Sequence, residues 1–215
     1  MPAEAVGHDG VVDDDGIRSG PITHSAERLE AFSDAVMAVV ITLTALELKA
    51  PVGAGFSSLS HRLPTLLVYV LSFSFVGIYW NNHHHLFRAT ARIDGAVMWT
   101  NLLLLFWLSL IPVLTSWVGA EYRHPLPAAS YGVVGIAAAA SYTLLVRTII
   151  SANPSDSLVA RALGDDRKGK VSLVLYAAAI PLALVTPWIA YALYASVSIL
   201  WFIPDRRLTG DERPG

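Results

Sequence analysis

Two polar groups stand out in a chain that is otherwise strongly apolar. The first lies in an apolar stretch that begins Arg28-Leu-Glu-Ala-Phe-Ser33-Asp34 and goes on to carry Thr42, Thr44 and Glu47. The second is the run Asn81-Asn82-His83-His84-His85, followed by Trp99 and Asn101. A carboxylate among imidazoles, amides and an indole N–H supports three kinds of chemistry. It can bind a proton, because imidazole titrates near neutral pH. It can ligate a metal. It can also be a structural network in which donors satisfy a buried carboxylate. Consecutive histidines on a helix project about 100° apart, so His83, His84 and His85 cannot all ligate one ion, and no metal site is expected. No nucleophile–base spacing or phosphate loop appears, and Ser33 beside Asp34 is explained by helix packing, so an enzyme is not expected.

Whether these residues meet depends on the elements that carry them. Of 215 residues, 54% are hydrophobic and 15% charged, and the mean hydropathy is +0.51. A soluble domain carries about 25% charged residues, so this composition cannot clothe a water-facing surface and indicates an all-α integral membrane protein. The net charge of −2 and the lack of a basic patch argue against nucleic-acid binding. With no cysteine, disulfides and thiolate metal sites are excluded. Six apolar stretches approach the roughly 20 residues a membrane helix needs: Leu29–Leu48, Pro64–Phe87, Ile93–Val118, Pro127–Ile150, Val171–Thr186 and Pro187–Ile203. They form one unit over residues 23–204, flanked by an acidic tail at 1–22, expected to be disordered and retained, and a short tail at 205–215. Pro181 and Pro187 leave open one long kinked helix in place of the last two spans.

Charge placement distinguishes these counts. With six spans and a cytoplasmic N-terminus, Arg18, Arg28, Arg88, Arg92, Arg147, Arg161, Arg167, Lys168, Lys170, Arg206, Arg207 and Arg213 lie inside or at the inner boundary. Lys49, Arg62 and Arg123 lie outside. That bias follows the positive-inside rule, whereas five spans would move three arginines outside. Six spans with both termini cytoplasmic is the expectation. Span two then returns its histidines to the side where span one carries Arg28, Ser33 and Asp34, and span three leaves from that side with Trp99 and Asn101.

Span one is too polar to face lipid, because a charge at mid-helix costs at least about 3 kcal/mol; the other helices are expected to shield it. Val39, Thr42, Leu43 and Leu46 share one stripe at i, i+3, i+4 and i+7. Asp34, Ala38, Ile41 and Ala45 form a neighbouring stripe whose small residues permit close packing. Spacing leaves two readings of the first stripe open: ordinary bundle core, or a narrow apolar pore lining with one hydroxyl ring, a constriction that gates by dewetting.

Arg28-x-x-x-Phe32-Ser33-Asp34, Trp80-Asn-Asn-His-His-His-Leu-Phe87 and Trp99-Thr-Asn-Leu-Leu-Leu-Leu-Phe-Trp-Leu-Ser-Leu-Ile-Pro112, in that order, resemble the transmembrane protein 175 family. That family includes the lysosomal potassium channel of animals and shorter prokaryotic homologues; the resemblance covers roughly residues 24–204. It implies a homotetramer in a prokaryotic plasma membrane, with the first helix of each subunit lining a central pore. Potassium would be the permeant ion, and no cofactor is implied. The family's bulky pore positions fall on Val39 and Leu46, with Thr42 or Leu43 between; Val39 departs from the usual Ile or Leu. As in the family, no Thr-Val-Gly-Tyr-Gly filter is present. Two other functions compete: a secondary transporter, proton-coupled through Asp34 and a histidine, and a non-conducting scaffold. No repeat relates spans one to three with four to six, which weighs against the transporter.

Overall fold

The computed structural model describes residues 21–53, 55–153 and 167–202. Every regular element among them is an α-helix: α1 Pro21–Leu46, α2 Phe56–Arg88, α3 Gly95–Ser109, α4 Ile111–Ala120, α5 Pro125–Ala152, α6 Arg167–Val185 and α7 Pro187–Phe202. Five helical stretches are long and apolar enough to cross a membrane, α3 and α4 counting as one span, and α7 is a shorter apolar helix. Outward residues such as Val174, Leu184, Ile199 and Phe202 are apolar and exposed, as a lipid-facing surface requires.

Polar contacts fix the direction of each span. Near one end of the bundle, Thr65 Oγ1 donates to the Gly119 carbonyl at 3.2 Å, and Tyr191 Oη donates to the Tyr122 carbonyl at 3.0 Å. At the other end, Asn153 closes α5 against the α2–α3 connection. Its side-chain oxygen accepts from the Ala91 and Arg92 amides, and its side-chain nitrogen donates to the Arg92 carbonyl. The Trp201 indole N–H donates to Ser172 Oγ at 2.9 Å, joining the end of α7 to the start of α6. These two helices are therefore an antiparallel hairpin and not one kinked helix. The chain turns at Thr186, directly before Pro187, which opens α7 where its missing N–H is harmless.

The core gathers around an aromatic centre. Phe75 of α2 meets Tyr131 of α5 and Tyr176 of α6 edge-on, and Tyr194 of α7 stacks on Tyr176 with 5.5 Å between ring centres. Glycines let α5 approach these rings: a Cβ on Gly135 would stand 2.6 Å from Tyr176 Cε1, and one on Gly132 would collide with Tyr194 Oη.

Helix bounds differ from the expected spans at two proline-related points. Pro64, expected to open span two, lies inside α2, which starts at Phe56; membrane helices tolerate interior proline where neighbours re-satisfy the freed carbonyl. Span three is interrupted at Leu110, because Pro112 lacks an N–H for the α-helical ladder and α4 starts afresh around it. Pro181 lies within α6, inside the span expected there. At the amino end, α1 is already helical at Pro21, eight residues before Leu29. The tails at 1–20 and 205–215, Ile203, and the cationic residues Arg18, Arg161, Arg206, Arg207 and Arg213 lie outside the described residues.

Candidate functional site

Helix α1 packs against α2, α3 and α4 and stands at the edge of the bundle. Its packing face is Ser33, Met37, Val40 and Thr44, all buried at helical spacing. The small-residue stripe Asp34, Ala38, Ile41 and Ala45 lies beside that face: Asp34, Ile41 and Ala45 are half-buried and Ala38 is exposed. The chain's other helices therefore do not shield α1 as expected. They cover one side of it and leave the opposite side bare.

The bare side is ordered in its spacing. Arg28, Phe32, Ala35, Val39, Thr42 and Leu46 are all exposed and recur at intervals of four, three, four, three and four. A 3.5-residue repeat of this kind keeps one seam turned toward a facing helix over many turns. Leu43 flanks the seam, and Leu46 is 72% exposed and Val39 56%. As the exposed face of α1, the stripe Val39, Thr42, Leu43 and Leu46 is not core of the single chain. Thr42 Oγ1 donates back to the Ala38 carbonyl at 2.8 Å, which leaves its oxygen lone pairs free on the seam.

On the packing face, one hydrogen-bonded chain joins three helices. His83 of α2 meets Asn101 Oδ1 of α3 at 2.8 Å through Nε2, Asn101 Nδ2 donates to Ser33 Oγ of α1 at 2.9 Å, and Ser33 Oγ donates to the Leu29 carbonyl at 2.8 Å. The Asn101 amide nitrogen is committed to Ser33, so its oxygen accepts and His83 Nε2 must carry the proton. His83, Asn101 and Ser33 are fully buried, and the His83 ring stacks on Phe87 at 4.3 Å. This tautomer leaves His83 Nδ1 buried without a hydrogen-bond partner.

A second cluster lies alongside. His84 Nδ1 stands 2.7 Å from Glu30 Oε1, and Asp34, four residues on from Glu30, completes a half-buried trio. Asp34 Oδ1 is buried with no hydrogen-bond partner. Glu30 had no part in the sequence reading, although its i, i+4 relation to Asp34 was a visible sign that both carboxylates share a face.

Three residues expected in the polar network do not join it. Trp99 is 75% exposed and His85 and Arg28 are exposed. Trp99 precedes Asn101 by two positions and His85 follows His83 by two, and residues two apart on a helix lie on nearly opposite faces. Arg28 belongs to the exposed seam with Phe32. Among the described residues, no hydrogen bond or ion pair carries any of the three into the cluster.

The family model described as "Endosomal/lysosomal potassium channel TMEM175" matches residues 28–112, which hold the α1 seam and both polar clusters. A protein named potassium channel from Chryseobacterium sp. (strain P1-3) is 44% identical over 181 residues, covering 84% of this chain and 94% of that one. The chain belongs to the TMEM175 family. Human "Endosomal/lysosomal proton channel TMEM175" is 34% identical over 113 residues, 47% of this chain and 22% of the human protein. The crystal structure of a lysosomal potassium-selective channel TMEM175 homolog from Chamaesiphon minutus superposes with a TM-score of 0.75 at 27% identity, covering 84% of this chain and 97% of that one. The TMEM175 fold thus extends over the described helices of this multi-pass membrane protein.

Proposed function

We propose that the chain forms a potassium-permeable cation channel, a homotetramer whose central pore is lined by one α1 helix from each subunit. The observation that carries this reading is the bare, heptad-spaced seam Arg28–Leu46, the side of α1 that no other described helix covers. One helix cannot enclose a hole, so the pore requires several copies, and fourfold symmetry follows the family resemblance. The constriction consists of Val39, Thr42, Leu43 and Leu46: apolar rings that resist wetting, with a threonine ring offering hydroxyl oxygens between them. The Ser33–Asn101–His83 chain holds the inner end of α1 to α2 and α3. The membrane is the plasma membrane of a prokaryote. Both termini are cytoplasmic, since Arg88, Arg92, Arg147, Lys168 and Lys170 fall at the bundle end that holds Asn153, while Lys49, Arg62 and Arg123 fall at the other.

Purified protein in liposomes, with potassium and sodium gradients applied separately, tests this by flux and single-channel recording. Unitary currents reversing toward the potassium potential are expected. Saturable flux without unitary events would instead favour a proton-coupled transporter working through Asp34. Silence under every gradient and pH would favour a scaffold.

A further inference from the structure

We propose that Glu30, Asp34 and His84 form a binding site for a zinc-class divalent cation at the inner end of α1. The sequence alone gave no reason to expect a metal, because three successive histidines cannot converge. The fold solves that problem differently. It takes one histidine from α2 and two carboxylates from a single face of α1, with one ligand atom from each residue lying within 4.8 Å of the others.

Four further observations point to a cation. His84 Nδ1 donates to Glu30 Oε1 at 2.7 Å, through a proton that a divalent ion would displace, and Trp80 stacks on the His84 ring with 5.9 Å between centres, which orients that nitrogen toward the carboxylates. Asp34 Oδ1 is buried and receives no hydrogen bond, so a carboxylate oxygen is held inside the protein without a donor. The cluster combines two carboxylates with one imidazole, and the exposed Arg28 lends it no bond. A divalent ion would compensate the charge and supply the missing partner together.

The ligand chemistry selects the class. Calcium and magnesium take oxygen ligands, whereas imidazole with carboxylates suits zinc and neighbouring divalent transition ions. Zinc binds nitrogen and carboxylate oxygen at about 2.0–2.2 Å in a tetrahedron. Tetrahedral ligand atoms at those lengths stand about 3.3–3.6 Å apart. The widest pair would therefore close by up to about 1.5 Å and the Glu30–His84 pair would open from 2.7 Å, shifts taken up by side-chain torsions. Three protein ligands leave one position for water. The bound ion would bridge α1 to α2 beside the Ser33–Asn101–His83 chain. Binding stands independently of the channel reading; only an effect on flux would rest on it.

The test uses the full-length chain, treated with chelator and titrated with cobalt(II), whose absorption reports the ligand field, followed by displacement with zinc. Wild type is expected to bind one ion per chain. Glu30→Gln and His84→Gln should each weaken binding by more than about tenfold, because even an outer partner of a ligand is worth about 10–100-fold. His85→Gln, a change at the exposed neighbour, should leave binding unchanged. His84→Cys should keep the ion and add a thiolate-to-cobalt charge-transfer band, which shows that the position itself ligates. Elution volume and melting temperature establish that each variant is folded. Absence of binding in wild type, undiminished binding in the Glu30 and His84 glutamine variants, or no new band in folded His84→Cys would each overturn the assignment.

Discussion

Asn101 does two jobs with one amide, accepting from His83 and donating to Ser33. Its replacement by alanine strands the His83 N–H inside the bundle and removes the donor to Ser33, which keeps its own bond to the Leu29 carbonyl. A buried polar group left without a partner costs about 1–3 kcal/mol, while interhelical hydrogen bonds in membranes average only about 0.6 kcal/mol. One buried donor is orphaned and one further bond is lost, so Asn101→Ala should destabilise the protein by about 1–2 kcal/mol, read as a lower melting temperature in detergent. A double-mutant cycle with Ser33→Ala should show coupling of about 0.5–1 kcal/mol; strictly additive effects would contradict a direct bond. The residue types of this network were legible in the sequence, but its membership was not. Resolving Asn101 from Trp99, or His83 from His85, requires knowing which way each helix is rotated about its axis. Apolar neighbours on every side of α2 and α3 leave no amphipathic pattern to report that rotation.

Helix α5 approaches its neighbours closely at two glycines. Gly132 and Gly135 occupy its contact with Tyr194 and Tyr176, where a Cβ has no room. Gly135→Ala should therefore lower stability by about 1–3 kcal/mol through overpacking, although alanine is the better helix former. Gly77 of α2 has open space where its Cβ would stand, so Gly77→Ala should be neutral or slightly stabilising. Equal losses of melting temperature in the two variants would contradict this packing. Spans are legible because lipid demands long apolar runs, and the six stretches of the sequence correspond to α1, α2, α3 with α4, α5, α6 and α7. Interruptions are less legible, since proline marks where a break is cheap and not where one occurs. Pro64 and Pro181 sit inside helices, while Pro112 accompanies a break at Leu110 and Pro187 opens the final hairpin arm.

For the assembled molecule, the lack of native cysteine offers a direct probe. Leu46→Cys and Val39→Cys place single thiols on the bare seam and should give disulfide-linked dimers under oxidation. Val40→Cys, on the buried face, should remain monomeric on a denaturing gel. Cross-linking at Val40 matching that at Leu46 would mean that copies do not meet along this seam. In recordings, Leu46→Ser should raise conductance or lower potassium selectivity, because a polar ring wets more readily than a leucine ring. Unchanged currents in both Leu46→Ser and Val39→Ser would move the constriction elsewhere. The sequence could order the seam residues by spacing, but not decide between core and pore, since both readings use the same period. Exposure in the single chain shows only that the stripe is not its core.

The polar ties of α1 also have a mechanical side. Bonds from Glu30 and Ser33 tie one end of α1 to α2 and α3, whereas Thr42 and Thr44 bond back to their own helix and the half that carries them packs by apolar contact. A rod fastened by directional bonds at one end and by slippery contact along the rest behaves as a lever pivoting near Ser33. At 1.5 Å per residue, Val39 lies about 9 Å along the arm and Leu46 about 20 Å. A tilt of about 10° would displace Val39 by about 1.5 Å and Leu46 by about 3.5 Å on that geometry. Leu46 therefore sweeps the widest arc of the exposed seam, and small rearrangements near Ser33 are magnified there.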